Sequence, residues 1–180
     1  MKVSVLGSGD ILKICKYGKM KKRDINNLLE GIGKILAKYR VEIVIIPDRG
    51  VPYIVAKFYK KYGGTKVIGL IPPGKGKFGI EHIKPQLHIV DEKIKVPSWY
   101  HADGEVAASG DIALCVGFSP GVMRDIAALK FHRKFLGNKT KLVIFNNTIS
   151  SRLHPEVEEE LDVIYIEKLS ELEEILKSRK

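Results

Sequence analysis

The sequence predicts an α/β domain with a doubly wound, mainly parallel sheet of about six or seven strands and helices on both faces. Three observations carry that expectation. Short unbroken apolar runs at 41–47 (VEIVIIP), 66–71 (KVIGLI), 112–116 (IALCV) and 141–145 (KLVIF) have the length and texture of strands covered on both sides. Stretches between them repeat apolar residues at helical spacing, as in Ile25, Leu28, Leu29, Ile32, Ile35, Leu36 and Tyr39. Strand and helix alternate, which implies right-handed crossovers and parallel pairing.

In chain order, residues 2–6 form the first strand and Gly7, Ser8, Gly9 and Asp10 its turn. Gly-x-Gly after a first strand is part of a dinucleotide fingerprint, but the third glycine position holds Leu12, leaving a small-residue turn that a ligand can approach. Residues 13–23 are basic and poorly periodic, a loop or short helix. Asp24 then caps the striped helix. After the second strand, at 41–47, Asp48, Arg49 and Gly50 turn the chain into a helix over 51–62, ended by Gly63-Gly64. The third strand, 66–71, leads into a basic loop at 72–79, which reads equally as an arm over a ligand or an ordinary turn. Residues 87–90 and 93–96 read as weaker strands, in an added hairpin or an irregular stretch. Ser98 caps a short helix over 99–108.

The strand at 112–116 follows, and Gly117 ends it. Ser119 suits an N-cap, and Pro120 suits the first helical position because it has no N–H to satisfy. The amides of Gly121, Val122 and Met123 then stand at a helix start, a place for an anion such as phosphate. The strand at 141–145, a short helix at 155–161, a strand at 163–166 and a helix over 171–179, capped by Ser170 with Glu173 completing a capping box, finish a single domain spanning 1–180.

Of 180 residues, 44% are hydrophobic and 29% charged, which places the chain among globular rather than disordered proteins. No apolar run approaches membrane-span length, and the start MKVSVLGSG lacks a signal peptide's apolar segment, so a cytoplasmic protein with no membrane partner is expected. Cys15 and Cys115 show no metal or redox spacing, and Cys115 reads as a small core residue. His82, His88, His132 and His154 are scattered, so no metal site is expected. Residues 1–84 carry 18 Lys/Arg against 6 Asp/Glu, and residues 85–180 carry 13 against 15. The basic half points to anionic partners or to a solvated charged surface. A single Gln among abundant Lys, Glu and Ile matches hyperthermophile composition.

Three segments together resemble one family: GSGD after the first strand, PDRGVPYIVAKFYKKYGGTKVIGLIP, and SGDIALCVGFSPGVMRDIAALKFHRKF followed by KLVIFN. Their order is similar to that of the Lonely Guy/lysine-decarboxylase-like Rossmann proteins, whose relatives include molybdenum-cofactor carrier proteins and DNA-processing proteins that bind single strands. The resemblance covers residues 1–147 and implies a Rossmann-like fold with a ligand pocket. The family's Pro-Gly-Gly-x-Gly-Thr-x-x-Glu run falls on residues 117–125. Gly121 matches the Gly of its Gly-Thr pair, and Asp125 stands at the Glu. Phe118 and Ser119 replace the paired glycines, and Val122 replaces the Thr. The family's arginine from the preceding helix would fall at Ala102, and no arginine occurs between Arg49 and Arg124. Replacing Glu by Asp withdraws the carboxylate by a methylene, and misplacement by about 1 Å can cost roughly 100-fold in rate.

The expected function is therefore binding of a nucleotide or other phosphate-bearing cofactor without the family's hydrolysis; a molybdopterin-like ligand is one version the resemblance implies. The site would be built from Gly7, Ser8, Gly9, Asp10, Arg49, Gly50, Gly117, Phe118, Ser119, Pro120, Gly121, Val122 and Met123. Arg49 is the first choice of cation for a phosphate and Arg124 the second. One alternative is a nucleoside 5'-monophosphate phosphoribohydrolase with Asp125 as catalytic acid or base; another is single-stranded nucleic-acid binding by the basic half. Trp99 and Tyr100 suit stacking on a base or pterin, or core packing. His101 and Asp103, two apart on a helix, do not face each other as an acid–base pair. The helix after Gly121 carries Val122, Met123, Ile126, Ala127, Ala128, Leu129, Phe131, Phe135 and Leu136, more apolar surface than one sheet face covers. Members of the family pair through a comparable region, so a homodimer is expected.

Overall fold

A computed structural model describes residues 1–18, 20–74 and 80–178. The elements run β1 (Lys2–Gly7), α1 (Ile11–Tyr17), α2 (Lys22–Lys38), β2 (Glu42–Ile45), α3 (Val51–Lys61), β3 (Val67–Ile71), β4 (Glu92–Lys95), α4 (Trp99–Val106), β5 (Ile112–Val116), α5 (Pro120–Leu136), β6 (Lys141–Phe145), α6 (Pro155–Glu158), β7 (Val163–Ile166) and α7 (Leu169–Lys177). All seven strands are parallel, in the order β4–β3–β2–β1–β5–β6–β7. The fold is α/β and Rossmann-like, with helices on both faces of the sheet.

The two-sided burial follows from strand geometry, because successive side chains point to opposite faces. In β5, Ile112, Leu114 and Val116 join the core beneath α2, α3 and α7, while Ala113 and Cys115 join the core beneath α4 and α5. Every residue of β5 is fully buried, as its unbroken apolar run requires. Cys115 is a small core residue whose thiol is pushed up in pKa by burial. No described helix is long and apolar enough to cross a membrane.

Of the loop or short helix expected over 13–23, the short helix forms: residues 11–17 are helical, with Asp10 capping α1 through a 2.9 Å bond from the Leu12 amide. Other local expectations are corrected. Asp24 does not cap α2; the helix starts earlier, after Lys21, and Asp24 sits in its first turn, where a carboxylate is favoured. Residues 87–90 are not a strand, because Pro85 favours the 3-10 turn that covers Lys84–Ile89. β4 is no hairpin arm but a parallel edge strand on β3, exposed along its length and carrying Glu92, Lys93 and Lys95, charges that protect an edge from pairing. Ser170 and Glu173 do not cap α7. Glu171 does, accepting the amides of Glu167 at 2.9 Å and Lys168 at 2.8 Å, while Glu173 pairs with Lys38 on α2 at 2.9 Å. Residues 75–79 of the basic loop, and Arg179 of the last helix, lie outside the described residues.

Gly50 is the backbone joint between β2 and α3. It has φ +91°, and a Cβ there would lie 2.5 Å from the Gly9 Cα. Gly50→Ala should therefore cost roughly 2–4 kcal/mol, from left-handed strain plus overpacking. Gly63→Ala, at φ +82° with open space around it, should cost only the strain, about 1 kcal/mol. Urea unfolding of both variants checks the difference.

Candidate functional site

β1 lies between β2 and β5, and the chain leaves these neighbours toward opposite faces of the sheet. In an open parallel sheet that reversal leaves a crevice beyond the carboxyl ends of the strands. The walls here are tied by main-chain bonds. The Ser8 carbonyl accepts the Val51 amide at 3.1 Å, and the Ser8 amide donates to the Val116 carbonyl at 3.4 Å. The Gly117 amide donates to Thr148 Oγ1 at 2.9 Å.

A cavity of about 150 Å3 occupies the crevice, lined by Gly7 and Gly9 after β1, Asp48 and Arg49 after β2, Trp99 and Asp103 of α4, and Ser119, Gly121, Val122 and Asp125 at the start of α5. An outer shelf of about 600 Å3 shares Gly9, Asp48, Arg49 and Ser119 with it and adds Ser8, Asp10, Lys13 and Lys22. Thus Gly7, Ser8, Gly9, Asp10, Arg49, Ser119, Gly121, Val122 and Asp125 come together around one crevice. Gly50, Gly117, Phe118, Pro120 and Met123 do not line it: Gly50 shapes the joint to α3, Phe118 packs on the core below α5, and Met123 is exposed.

The anion site at the start of α5 is largely taken up by the protein itself. The Val122 amide donates to Ser119 Oγ at 3.2 Å and the Met123 amide to the Ser119 carbonyl at 2.9 Å. The cap that begins the helix consumes two of the three donors, those of Val122 and Met123, that the sequence offers to a phosphate. Ser8 is likewise internal: buried, it exchanges hydrogen bonds with the Asp10 backbone at 3.0 and 3.1 Å.

The inner wall is acidic. Asp125 is 7% exposed, and its Oδ1 is buried with no hydrogen-bond partner. Burial, reinforced by the charge of Asp103 and opposed by Arg124, pushes its pKa up to about 8, so at neutral pH it holds a proton. Burial also raises Asp103, with Arg124 opposing and Asp48 adding to the rise. Arg124 Nη2 lies 3.2 Å from Asp103 Oδ2, and its guanidinium sits 4.4 Å from the Tyr100 ring centroid. Arg124 of α5 is thus paired to an acid on α4, and Ala102 stands where the resemblance would put an arginine.

Asp103 and Trp99 line this cavity, and Asp103 faces it without His101. His101 instead bonds Ser98 at 2.8 Å, while Trp99 stacks on His82 at 5.1 Å between ring centroids. The signal was the spacing Trp99, Asp103, Val106, which places all three on one helix face. Among the described residues, no three His, Cys, Asp or Glu side chains group as a metal-ligand set.

A carboxyl raised in the folded state binds its proton more tightly there than in the unfolded chain. Its contribution is complete below the unfolded pKa of about 4 and is lost as pH rises toward the folded value of about 8. Wild-type stability should fall across that window by on the order of a few kcal/mol, and Asp125→Asn should flatten the slope in urea titrations from pH 4 to 9.

No family model matches the chain, and no curated protein matches it. Solved structures do. The structural-genomics protein TM1055 superimposes with a TM-score of 0.69 at 17% identity, over 98% of each chain. The molybdenum cofactor carrier protein of Chlamydomonas reinhardtii gives 0.65 at 20% identity, over 98% of this chain and 96% of that one. DNA processing protein A of Helicobacter pylori, described for its single-stranded DNA binding mode, gives 0.62 at 17% identity, over 99% and 81%. At these identities the likeness establishes the Rossmann-like fold across the length of the chain.

Proposed function

We propose that this protein binds a phosphate-bearing nucleotide or pterin cofactor, of which a molybdopterin-like ligand is one version, in the crevice between β1, β2 and β5. The observation that carries this reading is a ring-sized cavity at the reversal of strand order, opening onto a shelf with Lys13, Lys22 and Arg49 on its rim. The likeness to a molybdenum cofactor carrier supports it. The residues present fit such a ligand. The cavity has the size that takes a single aromatic ring, its wall carries hydrogen-bonding carboxyls, and the phosphate meets cations outside. Arg49, exposed at the mouth beside Gly50, is the principal phosphate cation.

Binding without hydrolysis is favoured over a phosphoribohydrolase. Such an enzyme needs a carboxylate working beside a guanidinium, whereas Arg124 is engaged by Asp103 and Tyr100. Single-stranded nucleic acid remains a poorer match than a small ligand, since the basic shelf narrows inward to a ring-sized pocket.

The assembly we propose is a homodimer. Met123, Ala127, Phe131 and Phe135 stand exposed at four-residue spacing on α5, with Leu136 beside them. Phe131 and Phe135 stack with centroids 6.4 Å apart. A helix whose second face is apolar and uncovered fits a second copy of the same face across a two-fold axis.

Protein denatured after purification should release a nucleotide or pterin detectable by mass spectrometry, and Arg49→Ala should weaken ribose 5-phosphate binding about 10-fold or more, the value of a charge-assisted hydrogen bond. Unchanged affinity in calorimetry would remove Arg49 from the site. Sedimentation should give a dimer mass, and Phe131→Glu with Phe135→Glu a folded monomer by the same measurement.

A further inference from the structure

The cavity and the shelf differ in the sign of their charge, and that difference orients a ligand. Asp48 follows β2, Asp103 lies on α4 and Asp125 on α5, and all three line the inner cavity. Their mutual field is visible in the shifts: Asp103 feels Asp48, and Asp125 feels Asp103. The compensating cation nearby, Arg124, is paired with Asp103 at 3.2 Å and lies over Tyr100. Lys13 and Lys22, by contrast, are on the outer shelf, and Arg49 stands between the two spaces.

A phosphate in the inner cavity would face these acids, with the Val122 and Met123 amides already bonded to Ser119. An ionised carboxylate only accepts hydrogen bonds, and a protonated one both donates and accepts. The wall therefore calls for a ligand edge rich in N–H groups with an acceptor beside them. The buried Oδ1 of Asp125, which has no partner, is the independent sign of such an edge, because buried polar atoms are nearly always bonded. The volume of about 150 Å3 holds one six-membered ring, so the amino-bearing ring of a fused heterocycle enters while its second ring, sugar and phosphate stay toward the shelf. Trp99 adds an aromatic surface.

We propose that Asp48, Asp103 and Asp125 read the amino-bearing edge of a nitrogen heterocycle of the purine or pterin class, inserted ring-first, with the phosphate left outside on the shelf of Lys13, Lys22 and Arg49. This rests on the phosphate-ligand reading above and specifies its orientation and its selectivity. Asp48 Oδ1 accepts the Arg49 amide at 2.7 Å and Asp103 Oδ2 faces Arg124 at 3.2 Å, so the second oxygens of these two acids and the unpartnered Oδ1 of Asp125 are the ones left for a ligand. A site built to hydrogen-bond an amino group rejects an analogue lacking it, because those oxygens are then left unsatisfied.

The test is calorimetry with GMP, AMP, IMP and ribose 5-phosphate. IMP is the amino-free reference, since GMP adds an amino group at position 2 and AMP carries one at position 6. GMP or AMP should bind at least about 10-fold more tightly than IMP. Asp103→Asn, which puts a donor where an acceptor was, should abolish the preference and leave ribose 5-phosphate binding unchanged, whereas Arg49→Ala should weaken all four. Asp48→Asn, on a separate element, repeats the test if Asp103→Asn does not fold by circular dichroism. IMP binding as well as both amino nucleotides overturns the proposal, as does a preference that survives in the folded variants. Ribose 5-phosphate binding without any nucleotide binding sinks the ring-first reading alone. If none of the four probes binds, the phosphate-ligand reading falls with it.

Discussion

The close approach of three backbones at the end of β1 sets the geometry of this molecule's carboxyl edge. Gly7 ends β1, and a Cβ there would lie 2.6 Å from both the Val116 carbonyl oxygen and the Val51 Cβ. No larger residue lets β1, β5 and the start of α3 meet so closely. Gly50 completes the joint from the β2 side, and Ser8 bonds in both directions, to Val51 and to Val116. The crevice is what remains above this knot. Its lining joins these backbone turns to apolar residues such as Leu6, Ile46, Pro52 and Val106.

In that crevice the protein separates charge by depth. The acids come from three different elements and are partly desolvated, which raises Asp103 and Asp125 above the ordinary carboxylate range. The bases come from residues that reach outward, Lys13 of α1 and Lys22 of α2, with Arg49 at the boundary. The separation follows from where each residue type tolerates burial. A carboxyl can neutralise itself by taking a proton, whereas an arginine cannot lose one and keeps to paired or solvated positions.

α5 joins the site to the surface. One face buries Val122, Ile126 and Leu129 in the sheet and carries Asp125 to the cavity; the other exposes Met123, Phe131, Phe135 and Leu136. Its first turn is closed by Ser119 rather than left for an anion. In the proposed ligand reading the phosphate therefore lies with Lys13, Lys22 and Arg49 on the outer shelf.

The sequence by itself determined the α/β class, the parallel order of alternation and the core strands, because a strand buried on both faces leaves a contiguous apolar run that no other short element needs. It also determined Ser119 as the cap of α5, since turn and cap residues act locally. Tertiary structure alone decided the rest. The weak strand read at 93–96 is β4, and only the fold shows that it pairs parallel to β3 on the exposed edge of the sheet rather than in a hairpin. α2 starts after Lys21 without a side-chain cap, and α7 is capped by Glu171 while Glu173 reaches across to Lys38 on α2. The convergence of Asp48, Asp103 and Asp125 joins positions far apart in the chain. Whether a lone aspartate is a solvated surface charge or a buried acid depends on what the fold brings over it, and nothing in its immediate neighbours encodes that.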